Sequence, residues 1–231
     1  MKNLKLLVCV FSRFAGSRSI IIYTVTGIFL FFVFSFISEA QFSFHLIDNF
    51  ESGKVDKWYR FGNVRMEITR NPSIEAKDVI AESCGDFSLQ LKGKSENWYV
   101  GGIGADINID GTPFFRFQLD VYGGDGGGKI KIELFDDDDG NFALEQDPER
   151  NWLATKDDKW VAEVPVLGRG FTRVSIPFSA FKLENPGSGD GIWNPDQRNG
   201  SGGLLKIQLI LLTDRQTGEA EVRVDNLLLT Y

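Results

Sequence analysis

From residue 87 onward the chain alternates apolar and polar positions with a period of two. Phe87, Leu89 and Leu91 are interleaved with Ser88, Gln90 and Lys92; Phe115, Phe117, Leu119 and Val121 with Arg116, Gln118 and Asp120; Ile130, Ile132 and Leu134 with Lys129, Lys131 and Glu133. Successive side chains of a strand point to opposite faces, so each run predicts a strand with one packed and one solvated face. Residues 171–181, 204–212 and 222–229 read as further strands, the last one closing a sheet. Turn-rich segments separate them: Gly123-Gly-Asp-Gly-Gly-Gly128, Asp136-Asp-Asp-Asp-Gly-Asn141 and Gly200-Ser-Gly-Gly203. No stretch keeps a long helical period. The pattern predicts an all-β sandwich of two antiparallel sheets.

One connection breaks the rhythm. Residues 182–203 include Asn185-Pro-Gly-Ser-Gly-Asp-Gly-Ile-Trp-Asn-Pro-Asp196, about 20 residues where typical connections run about 4 to 6. Such a loop serves either function or packing around Trp193.

Length and charge narrow the class. The 231 residues divide into an expected export signal, 1–40, and a single β-sandwich domain, 41–231. Residues 20–37 are uncharged and mostly apolar, basic residues precede them, and Ser38-Glu39-Ala40 fits a small-x-small cleavage site before Gln41. A retained membrane anchor is the rival, since about 18 apolar residues just span a bilayer. Of the 25 Lys+Arg and 32 Asp+Glu, four bases (Lys2, Lys5, Arg13, Arg18) and one acid (Glu39) precede residue 41, so the remainder carries a net charge of −10. Nucleic acid is therefore an unsuitable partner, because phosphate binding needs clustered Lys and Arg. Cys9 falls in the signal, which leaves Cys84 without an internal disulfide partner.

Few residues suggest catalysis. His45 is the single histidine, no Gly-x-Ser-x-Gly elbow is present, and a histidine-based zinc site is excluded in practice. Glu133, Glu145, Asp147 and Glu163 could supply a glycosidase pair, but carboxylates are too abundant here to single any out. Oxygen-rich loops suit calcium better. Asp136, Asp137, Asp138, Asp139 and Asn141 form one such run; it departs from an EF-hand, with Phe135 at the first ligand position and Gln146 at the twelfth.

Three segments carry a resemblance. Asp48-Asn-Phe-Glu51, Ile176-Pro-Phe-Ser-Ala-Phe181 and Val224-Asp-Asn-Leu-Leu-Leu229 resemble the galactose-binding-like jelly-roll family, above all its β-glucan-binding carbohydrate-binding modules and the related complex I intermediate-associated sandwich. The resemblance implies a jelly roll that binds sugar without cleaving it, and a structural calcium between the first and last strands at Asp48, Glu51 and Asp225. Asn97-Trp-Tyr-Val-Gly-Gly102 stands where such modules have Gly-Tyr-Trp-Gly. Trp160 stands in the counterpart of a core-packed strand.

A pyranose offers an apolar face to stack on an aromatic ring and hydroxyls that need polar partners. The expected glycan-binding residues are Trp98, Tyr99, Trp152 and Trp193 as platforms, with Arg116, Gln118 and Asp120 gripping hydroxyls. Trp152 and Trp193, in polar surroundings, are expected to be exposed. The reading is an exported, periplasmic or cell-surface, non-enzymatic lectin-like module with a glycan partner and no membrane partner once the signal is cleaved. The alternative is a structural or assembly protein of the same compartments that packs against another exported protein, as the spirochaete flagellar-sheath proteins of this fold do.

Overall fold

The alternating runs are strands in the computed structural model, which describes residues 44–71, 85–123, 127–166, 170–198 and 201–231. The expected signal and Cys84 lie outside the described residues. In chain order the strands are β1 (Phe44–Asp48), β2 (Tyr59–Gly62), β3 (Arg65–Arg70), β4 (Phe87–Ser95), β5 (Tyr99–Ile109), β6 (Arg116–Tyr122), β7 (Lys129–Asp137), β8 (Gln146–Asp147), β9 (Leu153–Ala154), β10 (Asp158–Pro165), β11 (Phe171–Pro177), β12 (Lys182–Leu183), β13 (Gly203–Leu212) and β14 (Gly218–Thr230). Helical structure among the described residues amounts to single 3-10 turns at Pro148–Arg150 and Phe178–Ala180.

Two six-stranded antiparallel sheets result. The first runs β11-β6-β14-β4-β3, with β1 also paired to β14; the second runs β12-β10-β7-β13-β5-β2, and β8-β9 form a separate ribbon. The apolar side of each alternation fills the space between them. Leu89, Leu91, Phe117, Leu119, Val121, Val222 and Val224 come from the first sheet, and Ile103, Ile130, Ile132, Leu134, Ile207 and Leu209 from the second. Each such buried side chain stabilises the fold by about 1.5–3 kcal/mol relative to exposure. The architecture is a jelly-roll β-sandwich.

Strands β2, β3, β5 and β10 lie outside the period-two runs that the sequence displays. In β5 the alternation is lost because Gly101, Gly102 and Gly104 stand where a strand usually carries side chains. A Cβ at Gly101 would collide with the Phe61 carbonyl, and its φ of +142° is closed to other residues. Gly102 and Gly104 are opposite Phe61 and Tyr59 in the β2–β5 pairing, and both missing side chains are replaced by those rings. An aromatic laid over a cross-strand glycine is a known way to shield bare backbone.

Candidate functional site

The polar side of β7, β10 and β13 faces away from the core and forms the floor of a groove of about 890 Å³, within the size range of ligand sites. Lys131, Glu133, Lys159, Lys206 and Gln208 line it, with Glu184 following β12 and Tyr59 and Phe61 on β2 forming one wall. Tyr99, Asn97, Gln146, Asn151 and Trp152 line its loop-borne parts.

The floor is electrostatically closed on itself. Lys131 Nζ lies 3.0 Å from Glu133 and 2.6 Å from Glu184, while Lys159 Nζ lies 2.6 Å from Glu184 and 3.6 Å from Glu133. Burial would lower the Lys131 ammonium, but the Glu184 and Glu133 carboxylates outweigh it and hold the pKa above its ordinary value. Burial would likewise raise Glu184, but Lys131 and Lys159 outweigh it and pull it down. Lys206 pairs with Asp106 at 3.2 Å and sits 5.2 Å from the centre of the Tyr59 ring. Gln208 donates to the Tyr59 hydroxyl at 2.8 Å. Burial, then the nearby Glu133 charge, raises Tyr99, so its hydroxyl stays a donor at neutral pH. The groove thus offers balanced charges, amides and rings, a set that suits hydroxyl groups better than a highly charged ligand.

Trp98 and Trp152 are held in an uncommon way. Both are exposed, at 51% and 63%, and both have left-handed backbone, with φ of +67° and +59°. This conformation costs a bulky residue on the order of 1 kcal/mol or more and persists only when neighbours impose it. Trp98 N donates to Gln216 O at 2.9 Å, and Thr213 N donates to Trp98 O at 2.8 Å. Trp152 N donates to Asp147 O at 2.9 Å, and Gln146 Nε2 donates to Trp152 O at 2.8 Å.

The structure divides the residues proposed from sequence. Tyr99 and Trp152 line the groove and Trp98 adjoins Tyr99. Arg116, Gln118 and Asp120 lie on β6 of the first sheet, so they do not join that groove. Arg116 and Gln118 donate to the Ser175 hydroxyl at 2.7 and 3.0 Å, and Asp120 is buried in a bidentate pair with Arg173, both bonds 2.8 Å. Alternation shows that these residues share a face, but not which sheet's outer face is the hollow one. Trp193, expected to be exposed, is instead half-buried against Phe178 and Trp160, at ring separations of 4.9 and 5.8 Å. Its loop folds back on the core because its apolar ring gains more there than in water. Tyr59, Phe61, Lys131, Lys159, Glu184 and Gln208 were not singled out by sequence; the short aromatic pair at 59 and 61 opposite a glycine-rich strand is the signal that points to two of them.

The acidic residues also separate. Asp48 accepts from Phe50 N at 2.9 Å and Trp58 Nε1 at 2.8 Å and pairs with Lys57 at 3.2 Å, so its charge is answered by protein groups. Glu51 accepts from Asp86 N and Phe87 N at 3.2 and 2.9 Å. Asp225 is fully buried; burial pushes its pKa up to about 8, helped by the Asp120 and Glu51 charges against opposing hydrogen bonds from Asn226 and Asn71. Elsewhere Asp136, Asp138 and Asp158 form one group of converging oxygens and Asp137, Asp139 and Asp157 a second, and either could hold a metal ion. Asn141 Oδ1 accepts from Ala143 N at 2.7 Å, and its amide nitrogen donates to Glu145. Asp157 and Asp158 were not expected from the sequence, because they reach the cluster only through the pairing of β10 with β7.

No family model matches the chain, and no curated protein matches it. Solved structures do. A family 11 carbohydrate-binding module from Clostridium thermocellum, in complex with a β-1,3-1,4-mixed-linked tetrasaccharide, is similar at 15% identity and a TM-score of 0.52, over 82% of this chain and 96% of that one. The solution structure of CtCBM11 gives 15% identity and a TM-score of 0.51, over 83% and 97%. An exo-β-agarase gives 14% and 0.51, over 81% of this chain but 25% of the agarase chain. At these identities the likeness shows a shared fold. No helix among the described residues is long and apolar enough to cross a membrane.

Proposed function

We propose that this chain is an exported, non-catalytic module that binds a neutral glycan in the groove on its second sheet. The observation that carries this reading is the groove itself: Tyr59, Phe61, Tyr99 and Trp152 supply rings beside a charge-balanced floor of Lys131, Glu133, Lys159, Glu184 and Gln208. A sugar that stacks on Trp152 can exchange hydroxyl hydrogen bonds with these groups without burying an unpaired charge. The fold is that of a module which holds a mixed-linked glucan tetrasaccharide, and a gluco-oligosaccharide is the first ligand to try. The two exposed tryptophans in strained, doubly anchored backbone also support a binding role, since such strain concentrates at functional sites. Export rests on the apolar stretch and small-residue cleavage pattern before Gln41.

Calcium enters this reading as a structural ion. At the terminal strands the buried Asp225 carboxylate, which no Lys or Arg pairs among the described residues, and Glu51 suit it, whereas Asp48 is better assigned to its bonds with Lys57 and Trp58.

One observation favours a protein partner instead. Phe44 and Leu46 on β1 are exposed, as are Phe115 just before β6 and Tyr231 just after β14, and Phe115 and Tyr231 meet edge to face at 6.1 Å. A glycan-array screen of the purified chain separates the two. Binding to one class of neutral oligosaccharide supports the module; silence across glucans, xylans, mannans and galactans, together with self-association or capture of a defined exported protein, favours assembly.

A further inference from the structure

Three of the acids described above stand in an arrangement that protein groups alone leave incomplete. Asp136 on β7 and Asp158 on β10 are cross-strand partners, and Asp138 lies two residues beyond Asp136. One oxygen from each lies within 4.8 Å of the others, about twice the 2.3–2.6 Å calcium–oxygen distance, so a single ion can touch all three. Asp158 is fully buried, yet its Oδ1 accepts no hydrogen bond; Asp138 Oδ1 and the side-chain oxygen of Asn194 are buried and unmatched as well. Among the described residues no lysine or arginine pairs with any of the three carboxylates.

The neighbouring triad gives an internal contrast. There Asp137 receives the N–H groups of Asp139, Gly140 and Phe142, and Lys156 bridges Asp139 and Glu145 at 3.1 Å each. That group carries its own cation, even though Asp157 Oδ2 remains unmatched. The Asp136 group has none. Burial, with the neighbouring Asp charges adding to it, pushes Asp136 up to about 8 and Asp138 to about 7. A buried charge without a partner is costly, and a cation removes that cost.

We propose that Asp136, Asp138 and Asp158 bind one hard divalent cation of the calcium class, and that this ion fastens the 184–196 loop to the β7–β10 edge. All-oxygen donors select calcium over zinc or copper. The loop closes on the triad through its own backbone: Gly191 N donates to Asp158 Oδ2 at 2.6 Å and Asn194 N to Asp136 Oδ2 at 3.2 Å. Gly189 comes so near that a Cβ there would meet the Asp138 and Asp158 carboxylates. Trp160 Nε1 donates to Asp136 Oδ1 at 2.9 Å and its ring packs on Trp193, so the ion also steadies the loop's aromatic anchor. This inference stands apart from glycan binding.

The test is a titration of chelator-stripped full-length protein with calcium chloride, followed by melting temperature, and with terbium, followed by luminescence excited through tryptophan. Trp160 is hydrogen-bonded to the site and serves as the antenna. Saturating calcium raises the melting temperature, and terbium luminescence appears and is displaced by calcium. Asp158→Asn keeps shape and hydrogen bonding but removes one charge, and it weakens calcium binding at least tenfold; Asp138→Asn, at a less buried position, does the same if the first variant folds poorly. Glu163→Gln and Glu219→Gln, exposed acids paired with Lys129 and Lys94 away from every candidate ion site, leave this response in place. No calcium effect and no sensitised terbium in the wild type, or a full response in both Asp158→Asn and Asp138→Asn, overturns the site. A glycan screen that fails while the calcium response persists overturns the proposed function alone.

Discussion

The Tyr59 ring lies directly over Gly104, the residue opposite it in the β2–β5 pairing, in the place a Cβ would occupy. One wall of the groove therefore depends on a missing side chain. In Gly104→Ala the new methyl meets the far end of the Tyr59 side chain, which can swing aside, and Gln208 then loses its partner hydroxyl. The expected result is a melting temperature within a few degrees of wild type and at least a fivefold loss of glycan affinity. Gly101→Ala contrasts with it: the methyl would strike backbone in a forbidden conformation, and the cost is about 3 kcal/mol or more by urea denaturation.

Trp193 does not line the groove on the second sheet and is half-buried against the core. Its ring packs on Phe178 and Trp160, and removing it leaves a cavity. Trp193→Ala is expected to cost about 3 kcal/mol in urea denaturation. Glycan affinity should change less than twofold under conditions where the variant is folded, and a larger loss would place this residue at the ligand.

Much of the sandwich was legible in the sequence and much of the site was not, for a physical reason. Alternation in β6 and β7 reports directly which residues face the core, because Phe117, Leu119, Ile130 and Ile132 must be buried for the strands to pack. It does not say how a sheet curves, so Arg116, Gln118 and Asp120 looked as suitable for binding as Lys131 and Glu133. The glycines of β5 erase the alternation altogether, and with it the clue to Tyr59 and Phe61. Trp98 and Trp152 stood out by type, as did Trp193, whose ring lies half-buried on Phe178 and Trp160. The Asp136 group needed the β7–β10 register, which only the folded chain supplies.

Stability should fall as pH rises when metal is absent. Asp136 and Asp225 have folded pKa values near 8, and Asp138 and Asp157 near 7, against 3.8 when unfolded. Between about pH 4 and 8 the folded chain therefore holds more protons than the unfolded chain, and the unfolding free energy decreases with pH. In chelator the melting temperature should be higher at pH 5 than at pH 8. Calcium should flatten that slope by stabilising the ionised carboxylates; an unchanged slope would mean that the ion does not meet these groups.

The Asp120–Arg173 pair is a stability element on the sheet away from the groove. Arg173→Ala leaves a buried carboxylate without its main countercharge and should cost about 3 kcal/mol, read by urea denaturation. Glycan binding by the folded variant should be unaffected.

The claim that the groove binds sugar is tested most directly by calorimetric titration of the full chain with mixed-linked gluco-oligosaccharides and with xylo-, manno- and galacto-oligosaccharides, in parallel with Trp152→Ala. The account predicts saturable binding to at least one of them, weakened at least tenfold by Trp152→Ala with no change in melting temperature, since Trp152 is 63% exposed and carries no core packing. Absence of binding to every oligosaccharide, or binding that Trp152→Ala leaves intact, would contradict it.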